Sequence, residues 1–235
     1  MKTNFEKYSA AIAITALSIV GAKADLWDAA YNGNGTMTGQ AVLGTSGDTW
    51  NNPNAFGTTF NLNDVSGISP ITMLLTGTGA LNIAYNYASY GMATDPAPIA
   101  ALMQNVLVTV GGTAQLTIGG LSSYIGDTFT LVLLSGEPFT TTTTYSIASG
   151  ATGGNTGSPV TTANTDIKLS GGIGDAYNEF TGGTITSSSM VINESGFGAM
   201  SGFQLQITPA PEPTTLALAA MGGFGMLAMF RRRQA

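Results

Sequence analysis

The chain has 235 residues, of which 43% are apolar, and this length suits one domain of ordinary size. It has no histidine and no cysteine, which excludes imidazole bases, zinc sites built from His or Cys, and disulfide bonds. Charged residues make up only 9%, against about 25% in a typical soluble domain, and glycine numbers 32. This composition favours a β-rich exported protein over a cytosolic enzyme.

The first 24 residues have the three regions of a secretory signal peptide, which are a basic start, an apolar run and a small-residue cleavage site. The apolar run Ala10–Val20 is about 16 Å long as a helix, too short for a bilayer core of about 30 Å. Ala22 and Ala24 are the small residues that signal peptidase recognises, so cleavage is predicted before Asp25. A core helix or a membrane anchor is the alternative.

Residues 25–208 contain short runs of β-branched and aromatic residues separated by Gly, Asn and Pro turns. The candidate strands are Thr36–Leu43, Thr58–Leu62, Pro70–Thr76, Leu81–Tyr87, Val106–Val110, Ala114–Ile118, Phe129–Leu134, Thr143–Ile147, Asp166–Leu169, Gly183–Thr186, Met190–Ile192 and Gly202–Ile207. Many short strands at near-regular spacing predict an all-β fold, a jelly-roll-like β-sandwich. The signal-peptide helix and a C-terminal hydrophobic helix would flank it.

Three stretches give sharper local predictions. The apolar run Phe129–Leu134 predicts a central strand. The pair Gly111-Gly112 is a two-residue hairpin signal, so Val106–Val110 and Ala114–Ile118 are predicted to pair as antiparallel strands. The Gly-, Ser- and Thr-rich stretch Ala148–Thr165 predicts a long surface loop.

The segment from residue 25 to residue 210 is strongly acidic. Lys168 is its one basic residue against eleven Asp and Glu, which gives a net charge of about −10. Because phosphate binding needs Lys or Arg, nucleic acid is excluded as a partner. Neutral sugars stay open as ligands, whereas an acidic polysaccharide would need a bridging cation.

Trp50, with Asp48 and Asn51 beside it, is the candidate glycan-binding site. An aromatic ring can stack on the C–H face of a sugar while carboxylate and amide groups bind its hydroxyls. The alternative is that Trp50 packs into the core and that Asp48 is a turn residue.

Paired carboxylates could in principle hydrolyse glycosidic bonds, but most acidic residues here lie beside turn-forming residues. No catalytic residue is assigned, and the acidic candidates are Asp48, Asp64, Asp95, Asp127, Glu137, Asp175, Glu179 and Glu194. A structural calcium ion is compatible with the many oxygen ligands, with Asn32–Gly35 as one candidate turn. No other cofactor is expected, and the metal ligands stay unassigned.

The C-terminal segment has three parts, which are the tripeptide Pro211, Glu212 and Pro213, the apolar run from Leu216 to Phe230, and the cluster Arg231, Arg232 and Arg233. The apolar run is about 22 Å long as a helix, short of a full membrane span. A basic cluster after an apolar run stays on the cytoplasmic side, which predicts a stop-transfer segment of marginal length. An ordinary tail anchor is the alternative.

These three parts, in this order, resemble the PEP-CTERM sorting signal of Gram-negative bacteria. The resemblance implies a membrane-inserted precursor, recognition by exosortase, cleavage near Pro211-Glu212-Pro213, and delivery to the cell envelope or an exopolysaccharide matrix. The signal peptide is the companion that such proteins require. The expected organisation is a signal peptide at residues 1–24, a β-sandwich at 25–208 and the sorting signal at 209–235.

The domain between the signals resembles the jelly-roll domain of PEP-CTERM proteins that are loosely similar to galactose-binding-like carbohydrate modules. The stretches that carry this resemblance are Gly47–Asn51, Ala114–Leu121 with Phe129–Leu134, and Gly202–Ile207. We therefore expect a non-catalytic protein of the envelope or exopolysaccharide matrix. The alternatives are a carbohydrate-binding module for a neutral glycan, with Trp50 as platform, and a carboxylate-based glycoside hydrolase.

Overall fold

The computed structural model describes residues 24–31, 41–45, 47–53, 57–65, 71–78, 81–83, 107–109, 113–136, 143–161, 175–196 and 198–210. The predicted signal-peptide helix and C-terminal helix lie outside these residues, apart from Ala24, Pro209 and Ala210. The chain divides into two units, and Ala24–Thr208 form the unit described below. Within the described ranges, we find no helix with the length and apolar character needed to cross a membrane.

The described strands pair antiparallel and are numbered in chain order. They are β1 (Asp25–Ala30), β2 (Thr59–Leu62), β3 (Ile71–Thr78), β4 (Leu81–Ile83), β5 (Leu107–Thr109), β6 (Thr113–Gly119), β7 (Thr128–Gly136), β8 (Thr143–Ser149), β9 (Ala151–Thr152), β10 (Val160–Thr161), β11 (Asp175–Ile185), β12 (Ser189–Gly196), β13 (Gly198–Met200) and β14 (Gly202–Thr208). A short 3-10 helix, Leu121–Tyr124, lies between β6 and β7.

Two large sheets and one small sheet hold these strands. The five-stranded sheet has the order β1-β14-β7-β11-β9, the six-stranded sheet β10-β8-β12-β6-β3-β2, and the three-stranded sheet β13-β5-β4. From β6 to β12, successive strands lie alternately in the two large sheets. The predicted all-β fold with two antiparallel sheets is confirmed, and the jelly-roll subtype stays a prediction.

The two large sheets share one apolar core, which their alternating side chains build. On β6, Leu116 and Ile118 are fully buried, while Gln115 on the other face is exposed. Leu131 and Leu205 contribute to the same core from the five-stranded sheet. Each such burial contributes about 1.5–3 kcal/mol, so this alternation is the main source of the domain's stability.

The strand β7 is central, as its apolar run predicts. It lies between β14 and β11, and its residues from Leu131 to Leu134 are fully buried. Leu131 and Leu133 belong to the core between the sheets, whereas Val132 and Leu134 belong to a second apolar cluster. The strand is apolar on both faces because both faces are covered.

The predicted hairpin around Gly111-Gly112 is wrong. The strand β5 lies between β13 and β4, and β6 lies between β12 and β3 in a different sheet. Each strand therefore uses both of its hydrogen-bonding edges with other partners. A local turn signal does not determine pairing when burial of a longer apolar face competes with it.

Two other predictions also need correction. Residues 41–43 form bends rather than the end of a strand Thr36–Leu43, whose other residues lie outside the described part. The predicted loop Ala148–Thr165 contains β9 and β10, which pair with β11 and β8. The strand β1 was not among the predicted strands because it has no β-branched residue, and it pairs along its whole length with β14.

Candidate functional site

Residues 41–45 and 47–53, called the flap below, cover the outer face of the five-stranded sheet. Ala41 and Trp50 of the flap pack with Val132 and Leu134, which point away from the core between the sheets. Trp50 is only 3% exposed. The flap therefore removes an apolar sheet face from water.

The side-chain amide of Gln204, which is fully buried on β14, attaches the flap to the sheet. Its Oε1 accepts hydrogen bonds from the backbone N–H groups of Val42 and Leu43, both at 2.8 Å. Its Nε2 donates to Oδ1 of Asp28 at 2.9 Å and to the Leu43 carbonyl at 3.0 Å. Both donors and both acceptor positions of this amide are therefore used.

Asp28 is a buried carboxyl group that the sequence analysis missed. It is fully buried on β1, and its Oδ2 has no hydrogen-bond partner. Burial raises the pKa of Asp28 to about 7, the hydrogen bond from Gln204 lowers it, and the charge of Asp48 raises it. A carboxyl group inside the apolar run Leu26–Ala30 is the signal that could have identified it.

Trp50 and Asp48, two of the predicted glycan-binding residues, lie together in the flap and stabilise it. The Trp50 ring is buried against the sheet, which is the packing alternative, and it offers no exposed platform for a sugar. Asp48 is 8% exposed and accepts hydrogen bonds from the Thr45 N–H at 2.6 Å and the Thr45 hydroxyl at 2.7 Å. These contacts give Asp48 the role of a turn residue.

Asn51, the third predicted residue, connects the flap to two other segments. Its backbone N–H donates to the Asp28 carbonyl at 2.8 Å, and its carbonyl accepts from the Ala30 N–H at 2.9 Å. Its Nδ2 donates to the carbonyls of Asp28 at 3.0 Å and Asn63 at 2.7 Å, while its Oδ1 accepts from the Asn63 N–H at 2.9 Å. Both amide donors are used within the fold.

The outer face of the six-stranded sheet, called the open face below, differs from the covered face. Four polar residues occupy neighbouring positions on β3, β6, β12 and β8 and form a polar ladder, namely Thr76, Gln115, Asn193 and Ser146. Nε2 of Gln115 donates to Oδ1 of Asn193 at 3.0 Å. The ladder and the acidic residue Glu194 line a depression of about 550 Å³, and none of the four ladder side chains is charged.

Two of the carboxylates considered for glycoside hydrolysis lie far apart on one strand. Asp175 and Glu179 lie four residues apart on β11, which separates their backbone positions by about 13 Å. The paired carboxyl groups of glycosidases lie about 5–9.5 Å apart. Glu194 is buried on β12, and Asp95 and Glu137 lie outside the described residues.

The calcium prediction has no further support in the part of the chain that the structure describes. There, no three Asp or Glu side chains come together as a metal site. The candidate turn Asn32–Gly35 lies outside the described residues. The metal ligands therefore stay unassigned.

Comparison with known proteins identifies the C-terminal segment. The PEP-CTERM protein-sorting motif matches residues 209–233, which include the Pro-Glu-Pro tripeptide, the apolar run and the arginine cluster. The sorting signal predicted from these three parts is therefore confirmed.

Comparisons of the whole chain give two further findings. None of the curated proteins matches it. One solved structure, titled "Structural basis for the promiscuous specificity of the carbohydrate-binding modules from the beta-sandwich super family", is 17% identical to it. The similarity covers 81% of this chain and 85% of that chain, with a TM-score of 0.24.

Proposed function

We propose, on the premise that the chain carries a PEP-CTERM protein-sorting motif, that its sandwich is a non-catalytic component of the cell envelope or of an exopolysaccharide matrix. The motif marks the chain for export and for exosortase processing at the envelope. In this proposal, signal peptidase cuts after Ala24 and exosortase cuts near Pro211-Glu212-Pro213. The motif match at residues 209–233 is the observation that carries the proposal.

Two properties of the domain support a structural or binding role over catalysis. The chain has no histidine or cysteine, and Lys168 is the one basic residue between the signals, so an enzyme of this sequence would have to work with carboxylates, hydroxyls or tyrosines alone. The polar ladder gives the open face many neutral hydrogen-bonding groups, which suits contact with hydrated polymer.

Matched substitutions in a host that carries an exosortase test this proposal. Glu212→Gln alters the sorting motif, and Glu179→Gln on β11 is the control. We expect the wild-type and Glu179→Gln proteins in the extracted matrix and the Glu212→Gln protein in the membrane fraction. Wild-type protein that stays in the membrane would contradict sorting. Turnover of matrix polysaccharide that a single Asp or Glu substitution abolishes would favour the glycoside hydrolase instead.

A second candidate function is the binding of a neutral glycan, and the polar ladder favours it. Gln115 and Asn193 supply amide donors and acceptors, and Thr76 and Ser146 supply hydroxyls, beside a depression of about 550 Å³. Depressions of about 300–1,000 Å³ are typical of small-ligand sites. Because Trp50 is buried, we assign this contact to the open face rather than to the flap.

Glycan-array binding of ladder variants tests the second candidate. Replacing Gln115 and Asn193 together by alanine is expected to weaken binding at least about tenfold, since two hydrogen-bonding amides are removed. Ser123→Ala, an exposed polar position outside the ladder, is the control. Unchanged binding in the double variant, or no binding by the wild-type protein, would contradict this function.

A further inference from the structure

Both ends of the described domain lie at one end of the sandwich. The strand β1 begins at Asp25 and β14 ends at Thr208, and these strands are antiparallel neighbours with Asp25 opposite Ile207. Neighbouring strands lie about 4.8 Å apart. The chain therefore enters and leaves the sandwich at nearly the same place, which we call the exit end.

The turn before β7 completes the exit end. The Tyr124 hydroxyl donates to Oδ2 of Asp25 at 3.0 Å, and the Tyr124 ring meets Trp27 edge to face with 5.5 Å between centroids. The next residue, Ile125, is 55% exposed, and no other large apolar side chain in the described ranges is so exposed. A fixed aromatic contact thus holds an exposed isoleucine beside both chain termini of the domain.

Short linkers connect the exit end to the apolar runs of the two signals. Seven residues, 209–215, link Thr208 to the run Leu216–Phe230. Before signal cleavage, four residues, 21–24, link the run Ala10–Val20 to Asp25. Both tethers therefore connect to the same end of the domain.

The chemistry around Ile125 suits a lipid surface without net charge. Ser122, Ser123 and Gly126 are exposed beside it and are uncharged, and the acidic residues nearby, Asp127 and Asp25, are half-buried. An apolar side chain flanked by small polar groups can enter the boundary between headgroups and acyl chains. The net charge of about −10 between the signals disfavours an anionic surface.

We infer that the exit end is a membrane-contact surface of the anchored precursor, with Ile125 entering the headgroup layer of a zwitterionic bilayer. This inference rests on the sorting part of the proposed function, because it needs the run Leu216–Phe230 to insert in a membrane. One isoleucine alone binds a bilayer weakly, so the contact forms only while the tether keeps the domain close to the membrane. Cleavage near Pro211-Glu212-Pro213 removes the tether, and the contact is then lost.

Site-specific labelling of the full chain tests this inference, since the chain has no native cysteine. Ile125→Cys labels the exit end, and Met226→Cys labels the apolar run. Ser195→Cys is the matched control, exposed on β12 at the end away from the 3-10 helix, because the Leu121 N–H bonds the Ser188 carbonyl just before β12 begins. Each labelled chain is reconstituted into phosphatidylcholine vesicles that contain a lipid-attached quencher.

The expected result is quenching at position 226 and at position 125, with at least about twofold more quenching at 125 than at 195. Quenching at 226 alone would overturn the membrane contact and leave insertion of the run intact. Equal quenching at 125 and 195 would indicate non-specific adsorption and would overturn it too. No quenching at 226 would overturn both the membrane contact and the sorting premise on which it rests.

Discussion

The two outer faces of the sandwich differ in what covers them. On the five-stranded sheet, the flap covers apolar residues together with the buried Asp28 and Gln204. On the six-stranded sheet, the polar ladder stays beside an open depression. The comparison shows that polar residues on a sheet do not all indicate a binding site, because Asp28 and Gln204 hold the fold together. The open face is therefore where a ligand contact is to be sought.

Trp50→Ala is expected to have the largest effect on stability. Removing this buried ring leaves a cavity between the flap and β7, which lowers the free energy of unfolding by about 3–5 kcal/mol. Urea unfolding of the processed protein measures the loss. If Trp50→Ala kept its stability and lost glycan binding, the ring would be a sugar-binding platform. The covered face would then be a binding face and not only a structural one.

Asp28→Asn is expected to remove a pH dependence from the covered face. In the folded protein the pKa of Asp28 is raised from its ordinary value of 3.8 to about 7, so ionisation of this carboxyl group opposes folding. The contribution of protonated Asp28 to the free energy of unfolding is fully present below about pH 4 and is lost as pH rises through 7. Between pH 4 and pH 9, the variant should gain up to about 4 kcal/mol in unfolding free energy relative to the wild type. Parallel stability curves for the two proteins would contradict the burial of this carboxyl group.

Two glycines of the flap give a matched pair. Gly44 has φ +88°, and a Cβ there would clash with the Asp48 carboxylate and crowd Leu26, so Gly44→Ala should cost about 1–3 kcal/mol. Gly47 has open space around its Cβ position, so Gly47→Ala should change stability by no more than about 0.5 kcal/mol. Thermal unfolding of Gly44→Ala and Gly47→Ala measures the difference. Equal losses of stability would show that the flap does not pack tightly around Gly44.

Asn193→Ala on the open face is expected to have the smallest effect on stability. The side chain is exposed and its hydrogen bond with Gln115 is solvent-accessible, so the loss should be about 0.5 kcal/mol or less. Urea unfolding of Asn193→Ala and Trp50→Ala under the same conditions compares the two losses of unfolding free energy. A loss of several kcal/mol would show that the open face is also part of the packed structure.

The strands that the sequence predicted well are those with a strong local pattern. Alternation identified β6, and a continuous apolar run identified β7 as central. The strand β1 was missed because its conformation depends on pairing with β14, which lies far away in the chain. The predicted hairpin failed for the same reason, since long-range partners outcompeted a local turn signal.

The sequence identified the residues of the candidate site but not the contacts that they make. Trp50, Asp48 and Asn51 are neighbours in sequence, yet what they contact depends on how the flap folds onto the sheet. Gln204, which attaches the flap, lies more than 160 residues away from Val42 and Leu43. The polar ladder combines residues of four strands, so no local sequence motif predicts it. The sorting motif was predictable because its parts are contiguous and are recognised as sequence.

The intact mass of the protein released by an exosortase-bearing host tests the central claim most directly, which is that a sandwich is exported between two removable signals. We predict a product that begins at Asp25 and ends within residues 209–213. A product that still ends at Ala235 and is extracted only by detergent would contradict the claim, because the C-terminal segment would then be a permanent anchor.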